Sequence, residues 1–193
     1  MKHLVAAAFA AALLLCGCDA EVSPPGESKV DVDTPELREL KAAAGMEDCA
    51  EGPGGGELPA VTLPCLGGGS DVDLSTLRGP MMVNLWGSYC GPCRTEMPVL
   101  QEFHQKYGDR VPVLGIDLAD TYPGAALELA DATGATYPSL ADPGGELLGK
   151  VRVAGLPSFI WVQDDGSYSQ SAGGFTSLAD LVQAANQHLG TDL

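Results

Sequence analysis

Residues 81–98 read Met-Met-Val-Asn-Leu-Trp-Gly-Ser-Tyr-Cys-Gly-Pro-Cys-Arg-Thr-Glu-Met-Pro, and their interpretation decides the fold. Met81, Met82, Val83, Leu85 and Trp86 make a near-continuous apolar run, too short for a helix and suited to a central strand covered on both faces. Gly87 ends it. Tyr89-Cys90-Gly91-Pro92-Cys93 then offers a turn-permissive glycine, a proline suited to a first helical turn and a helix-forming continuation from Arg94. Cys90 is therefore placed at a helix N-terminus, where unpaired N–H groups and the helix dipole favour a thiolate. A two-residue spacer brings Cys93 within reach of a mixed disulfide on Cys90, which makes Cys90 the nucleophile and Cys93 the resolving thiol.

Two blander readings of the pair are half of a zinc site and a purely structural bridge. Structural zinc needs four ligands, and the chain has no second Cys-x-x-Cys or His-x-x-x-His to complete a set, so no metal or other cofactor is expected. The strand, Cys-x-x-Cys, helix context favours redox chemistry over a bridge that only holds structure.

The 193 residues suit one domain with a short extension, and 45% apolar content is enough for a sizeable core. Lys+Arg number 10 against 26 Asp+Glu, and the formal charge of −16 argues against nucleic acid as a partner. Residues 1–17 carry Lys2 and an apolar run from Leu4 to Leu15, the layout of a secretory signal peptide too short for a membrane span. The run ends Leu15-Cys16-Gly17-Cys18, which looks like a bacterial lipoprotein cleavage site with Cys18 as the lipid-bearing residue; an ordinary cut near Ala20 is the alternative. A surface this acidic would be repelled by anionic lipid, so a covalent anchor is the plausible route to an extracytoplasmic membrane face.

Residues 18–33 are rich in Ser, Pro, Glu, Asp and Gly and read as a tether. Thr34-Pro35-Glu36-Leu37 supplies an N-cap, a first-turn proline and an acidic first turn, so 34–57 is read as a short helix and a loop ahead of a domain at 58–193. In an oxidising compartment the two remaining thiols, Cys49 and Cys65, are expected to pair as a structural disulfide contributing about 3 kcal/mol. A second redox pair relaying electrons from Cys90 and Cys93 is the competing idea.

Further along, 58–64 and 71–74 suggest a hairpin around Gly67-Gly68-Gly69-Ser70, and the helix after Cys93 runs to Gly108 with a kink expected at Pro98. A strand at 111–116, a helix at 125–132, a strand at 137–140, a helical turn or two at 147–151, strands at 159–162 and 168–171, and a closing helix on Leu178, Leu181, Val182, Ala185 and Leu189 follow. This order implies an α/β fold, a mixed central sheet flanked by helices.

Trp86-Gly87-Ser88-Tyr89-Cys90-Gly91-Pro92-Cys93-Arg94, with Pro98 one stretch on and Gly155-Leu156-Pro157-Ser158-Phe159 near the end, resembles the thioredoxin-like fold and, within it, the membrane-anchored TlpA/ResA-type thiol-disulfide oxidoreductases, over about residues 58–190. The resemblance implies an N-terminal β-hairpin, a central αβ insertion across Tyr122 to Leu148, and a cis Leu156–Pro157 bond facing the cysteines. It implies a substrate contact at Leu156 beside Pro157; Trp86 and Tyr89 complete the candidate substrate-binding set, Trp86 read as packing beneath the site and Tyr89 as either shielding Cys90 or decorating the surface. Glu96 matches a glutamate that this family keeps near the cysteines, and is expected to accept a proton from Cys93 or modulate its pKa. Asn84 stands where cytosolic thioredoxins bury an aspartate. His104 and His188 are read as surface residues.

The implied activity is an extracytoplasmic thiol-disulfide oxidoreductase, a reductase by its Gly91-Pro92 spacer, serving disulfide-bearing client proteins and drawing on a membrane thiol electron donor. Cytochrome c maturation is a common role in that family. A thioredoxin-fold copper metallochaperone is the alternative, although no well-placed histidine accompanies the cysteines; a peroxiredoxin is the weaker one, since those use an isolated peroxidatic cysteine.

Overall fold

In the computed structural model the described residues are 30–193. The signal segment, Cys16, Cys18 and the tether up to residue 29 lie outside them. The end of the expected tether belongs to the domain: Val32 is buried, and its carbonyl accepts the Gly67 N–H at 3.0 Å.

Helix α1 (Pro35–Ala44) starts where Thr34 accepts the Leu37 N–H and ends at Gly45, whose φ of 66° supplies the left-handed cap. Strands β1 (Thr62–Leu63) and β2 (Val72–Asp73) form the small antiparallel hairpin. They are followed by β3 (Met81–Trp86), α2 (Gly91–Tyr107), β4 (Val113–Leu118), α3 (Pro123–Thr133), β5 (Ser139–Asp142), β6 (Ser158–Val162), β7 (Tyr168–Ala172) and α4 (Leu178–Leu189). Helix α2 is continuous through Pro98.

The main sheet has the order β5-β4-β3-β6-β7. Its first three strands run parallel, as crossover helices α2 and α3 require, and β6 and β7 are antiparallel. Central strands β3, β4 and β6 are buried almost throughout, which explains their unalternating apolar runs. One face carries Met82, Trp86, Phe159 and Trp161 against Met97, Leu100 and Phe103 of α2 and Leu181 and Ala185 of α4. The opposite face carries Val83, Leu85, Ile116 and Ile160 against Leu58, Leu63, Val72 and Leu74 of the hairpin region. Residues 64–66 lie along β5: Leu66 N–H donates to the Ser139 carbonyl (2.8 Å) and Ala141 N–H to the Pro64 carbonyl (2.9 Å). The Cys49–Cys65 disulfide holds that segment to the loop after α1.

Two expectations need correction. Residues 147–151 form turns and a single bridge, Leu148 to Val151, because Gly145 and Gly149 adopt φ of 68° and 81°, outside helical backbone. His104 and His188 are half-buried: His104 Nε2 pairs with Glu47 Oε1 at 2.8 Å, and the His188 ring stacks on Trp161 with centroids 4.9 Å apart.

Candidate active site

Because β3 stops at Gly87 and α2 begins at Gly91, Cys90 becomes the N-cap of a 17-residue helix. Its Sγ accepts the Cys93 N–H at 3.2 Å, one of the donors a helix start leaves free, and Sγ is also bonded to Cys93. Cys90 reaches the surface with 7% of its area, whereas Cys93 is fully buried. An incoming disulfide therefore meets Cys90 first.

The loop before the helix is latched to the end of β4. Ser88 N–H donates to Asp120 Oδ2 (2.8 Å), and the Tyr89 hydroxyl donates to the Leu118 carbonyl (2.9 Å). Gly87 lacks the Cβ that would sit 2.7 Å from the Tyr89 ring, which folds back over it. The phenol pKa is raised, chiefly by burial of the hydroxyl and further by the nearby Asp120 and Asp117 charges. Tyr89 still exposes 62% of its surface beside Cys90.

The Leu156–Pro157 peptide is cis, as the resemblance implied, and Gly79–Pro80 is a second cis bond that the sequence reading did not anticipate. Tyr89, Cys90, Pro92, Leu118, Leu148 and Leu156 line an open, mainly apolar cavity of about 440 Å³. Trp86 does not line it: the indole is wholly buried in the core, where it packs under the site as read from the sequence, and it leaves the substrate-binding set.

Glu96 lies one helical turn beyond Cys93 and is only 2% exposed. Its Oε1 accepts the Phe175 N–H at 2.7 Å and its Oε2 accepts Asn84 Nδ2 at 3.3 Å. Burial outweighs these two hydrogen bonds and pushes its pKa up to about 7. Gly174 is pressed between Pro157 and this carboxylate; a Cβ there would stand 2.9 Å from Pro157 Cγ and 3.0 Å from Glu96 Oε1. The proline loop and the glutamate are thus parts of one packed unit.

Two polar residues escaped the sequence reading. Asp117, at the level of Trp86 on β4, is buried with both carboxylate oxygens unpartnered, and burial together with the Asp120 charge pushes its pKa up to about 9. A lone aspartate inside the apolar run 113–118 was the available signal. Lys41 is the other, a lysine with 6% exposure whose Nζ faces the second disulfide; no local pattern marks it.

Fold and site together define a thioredoxin-like α/β protein with a Cys-Gly-Pro-Cys disulfide at the mouth of its longest described helix. The AhpC/TSA family matches residues 55–168, and the chain belongs to that family. It is 31% identical over 100 residues to thiol-disulfide oxidoreductase ResA of Bacillus thuringiensis, a match that covers 51% of this chain and 57% of that protein. Among solved structures, a candidate protein disulfide isomerase from Bacteroides thetaiotaomicron is 32% identical, with TM-score 0.58, covering 72% of this chain and 91% of the other. A secreted thiol-disulfide isomerase from Corynebacterium glutamicum is 25% identical, with TM-score 0.55, covering 66% and 82%.

Proposed function

We propose that the protein is a thiol-disulfide oxidoreductase that reduces disulfides of client proteins through Cys90 and Cys93. The observation that carries this reading is the placement of Cys90: it caps α2, it is the exposed member of the pair, and it opens on an apolar cavity able to seat a peptide. In the dithiol form the Cys90 thiolate attacks one sulfur of the client disulfide, and the other client sulfur leaves with the electron pair. Cys93 then attacks Cys90 Sγ, breaking the mixed disulfide and releasing the second client thiol. Two electrons pass to the client and the Cys90–Cys93 bond forms.

Cys93 is buried and must lose its proton to attack. Glu96, one turn away with a pKa near neutrality, is suited to take it. Leu156, half-buried at the cavity wall beside Pro157, is the docking position for client backbone, and Tyr89 lines the same cavity. The acidic surface and the leader-like N-terminus support an extracytoplasmic location with lipid attachment at Cys18, where a membrane thiol donor would restore the dithiol.

The test is trapping. The Cys93→Ser protein should accumulate disulfide-linked clients on Cys90, and Cys90→Ser should accumulate none. Unchanged insulin-disulfide reduction by Cys90→Ser would refute the proposal.

A further inference from the structure

The second disulfide lies beyond β5, so β4 and β5 stand between it and β3, whose end carries Cys90. Direct exchange between the two pairs has no contact to run through. Its surroundings are nevertheless unlike those of an inert staple. Lys41 Nζ stands 3.5 Å from Cys65 Sγ, and the Cys49 N–H points at the same sulfur at 3.3 Å. Lys41 is nine-tenths buried, and its other partners are the Gly68 carbonyl and Asp48 Oδ1, each at 2.7 Å. Cys49 Sγ has no such donor; its near polar neighbour is the Ser139 carbonyl oxygen at 3.3 Å, which disfavours negative charge.

We propose that Cys49–Cys65 is a second thiol-disulfide exchange site, open to small thiols, in which Cys49 is the sulfur attacked and Cys65 leaves as a thiolate held by Lys41 and the Cys49 N–H. The asymmetry follows from exchange chemistry, where the better-stabilised thiolate is the better leaving group. Exposure agrees, since Cys49 retains 6% of its surface and Cys65 1%. The attacking thiolate bonds to Cys49 Sγ, the S–S bond breaks, and its electron pair stays on Cys65. A second small thiol then displaces Cys49 from the mixed disulfide. Two small thiols end as one disulfide, the protein gains two electrons, Cys49 ends protonated, and one proton goes to solvent while Cys65 remains ionised.

The attacking thiol reaches Cys49 through its small exposed area, while the Lys41 and Cys65 side of the bridge borders the glycine loop 67–69. With Lys41, Met46 and Asp48 it lines a cavity of about 360 Å³, and Gly69 has no side chain between that space and the site: a Cβ there would lie 3.4 Å from Cys65 Cβ and 3.5 Å from Lys41 Nζ. The charged groups facing the bridge are Lys41 from α1 and Asp48 from the following loop. The Asp33–Arg38 pair lies beyond Gly68, and Glu47 with His104 lies next to the same loop. From β5 it meets Ser139 and Leu140 and no charge.

The test uses the full chain with Cys90→Ser and Cys93→Ser, so that only this pair responds and a failure here leaves the trapping result untouched. After brief exposure to glutathione, peptide mapping should find the adduct on Cys49. In the reduced protein, thiolate absorbance at 240 nm should titrate one cysteine at least one unit below the ordinary value of about 8.5. Lys41→Met should move that titration up and slow reduction about tenfold, the scale of losing one hydrogen bond to a charged group. Asp48→Asn should move it down, because it leaves the ammonium unneutralised; the Asp48 side chain is 86% exposed, so the fold should tolerate the change. An adduct on Cys65, a bridge that resists thiols while the protein stays folded by circular dichroism, or titrations that ignore both variants would overturn the proposal.

Discussion

Replacing Glu96 with glutamine tests the buried carboxylate by its effect on stability, apart from any assay of turnover. In the unfolded chain this group titrates near 4.5, and in the folded protein at about 7. The folded state therefore holds the proton more tightly, and stability falls as pH rises through the window between those values and stays low above it. Each pKa unit corresponds to about 1.4 kcal/mol, so the full penalty above neutrality is about 3 kcal/mol. Glutamine has no charge to bury. Its carbonyl can keep the Phe175 N–H, and its amide can donate to Asn84 Oδ1, a buried oxygen that has no partner opposite glutamate. Glu96→Gln should thus be more stable than the parent at pH 8, by up to about 3 kcal/mol or roughly 5–10 °C in Tm, with little difference at pH 4.5. Guanidinium unfolding of the oxidised proteins across that range measures it, and the difference between the two curves cancels every other titrating group. Parallel curves would show that the buried carboxylate does not titrate as argued. In the same variant, the pH profile of client reduction should lose its inflection near neutrality while Cys90 remains reactive.

Three further outcomes follow from the same structure. Asp117→Asn should raise stability at pH 8 by at least about 1 kcal/mol and flatten its decline between pH 4 and 9, because the ionised carboxylate is favoured unfolded and disfavoured in the core; paired melts at the two ends of the range decide it. Leu156→Asp, at the wall of the apolar cavity, should lower reduction of a protein disulfide about tenfold while a small aromatic disulfide is reduced at the parental rate; equal losses on both would remove Leu156 from client docking. Phe103→Ala, which empties a wholly buried position between α2 and the sheet, should cost about 3–5 kcal/mol in chemical denaturation and leave the Cys90–Cys93 disulfide intact.

Much of this architecture was legible because local rules and tertiary packing agree. Thr34-Pro35 starts α1 as its capping chemistry demands, the run 81–86 is a strand buried on both faces, and the stripe Leu178, Leu181, Ala185, Leu189 is the closing helix. Cys90 could be placed because Gly91-Pro92 fixes where a helix begins. What failed to show depended on partners distant in sequence. Leu147 to Val151 carries helical spacing, but the flanking glycines take left-handed backbone and leave Leu148 45% exposed at the cavity rim. Trp86 was legible as a packing residue beneath the site, but not the neighbour that makes room for it: Gly115 clears the space for the indole, and a Cβ at 115 would lie 2.7 Å from Nε1. Lys41 has the spacing of an ordinary solvated helix residue, and only the return of residues 65–68 against α1 turns it inward.

The segment 64–66 that runs along β5 also sets how these molecules could associate. A sheet with two bare margins can add neighbours on both sides and grow without limit. In the main sheet one margin is already covered by that segment, and β7, Tyr-Ser-Gln-Ser-Ala, forms the other. Ladder-type association of main sheets through β7 would close after two copies set edge to edge, because each main sheet offers that margin once.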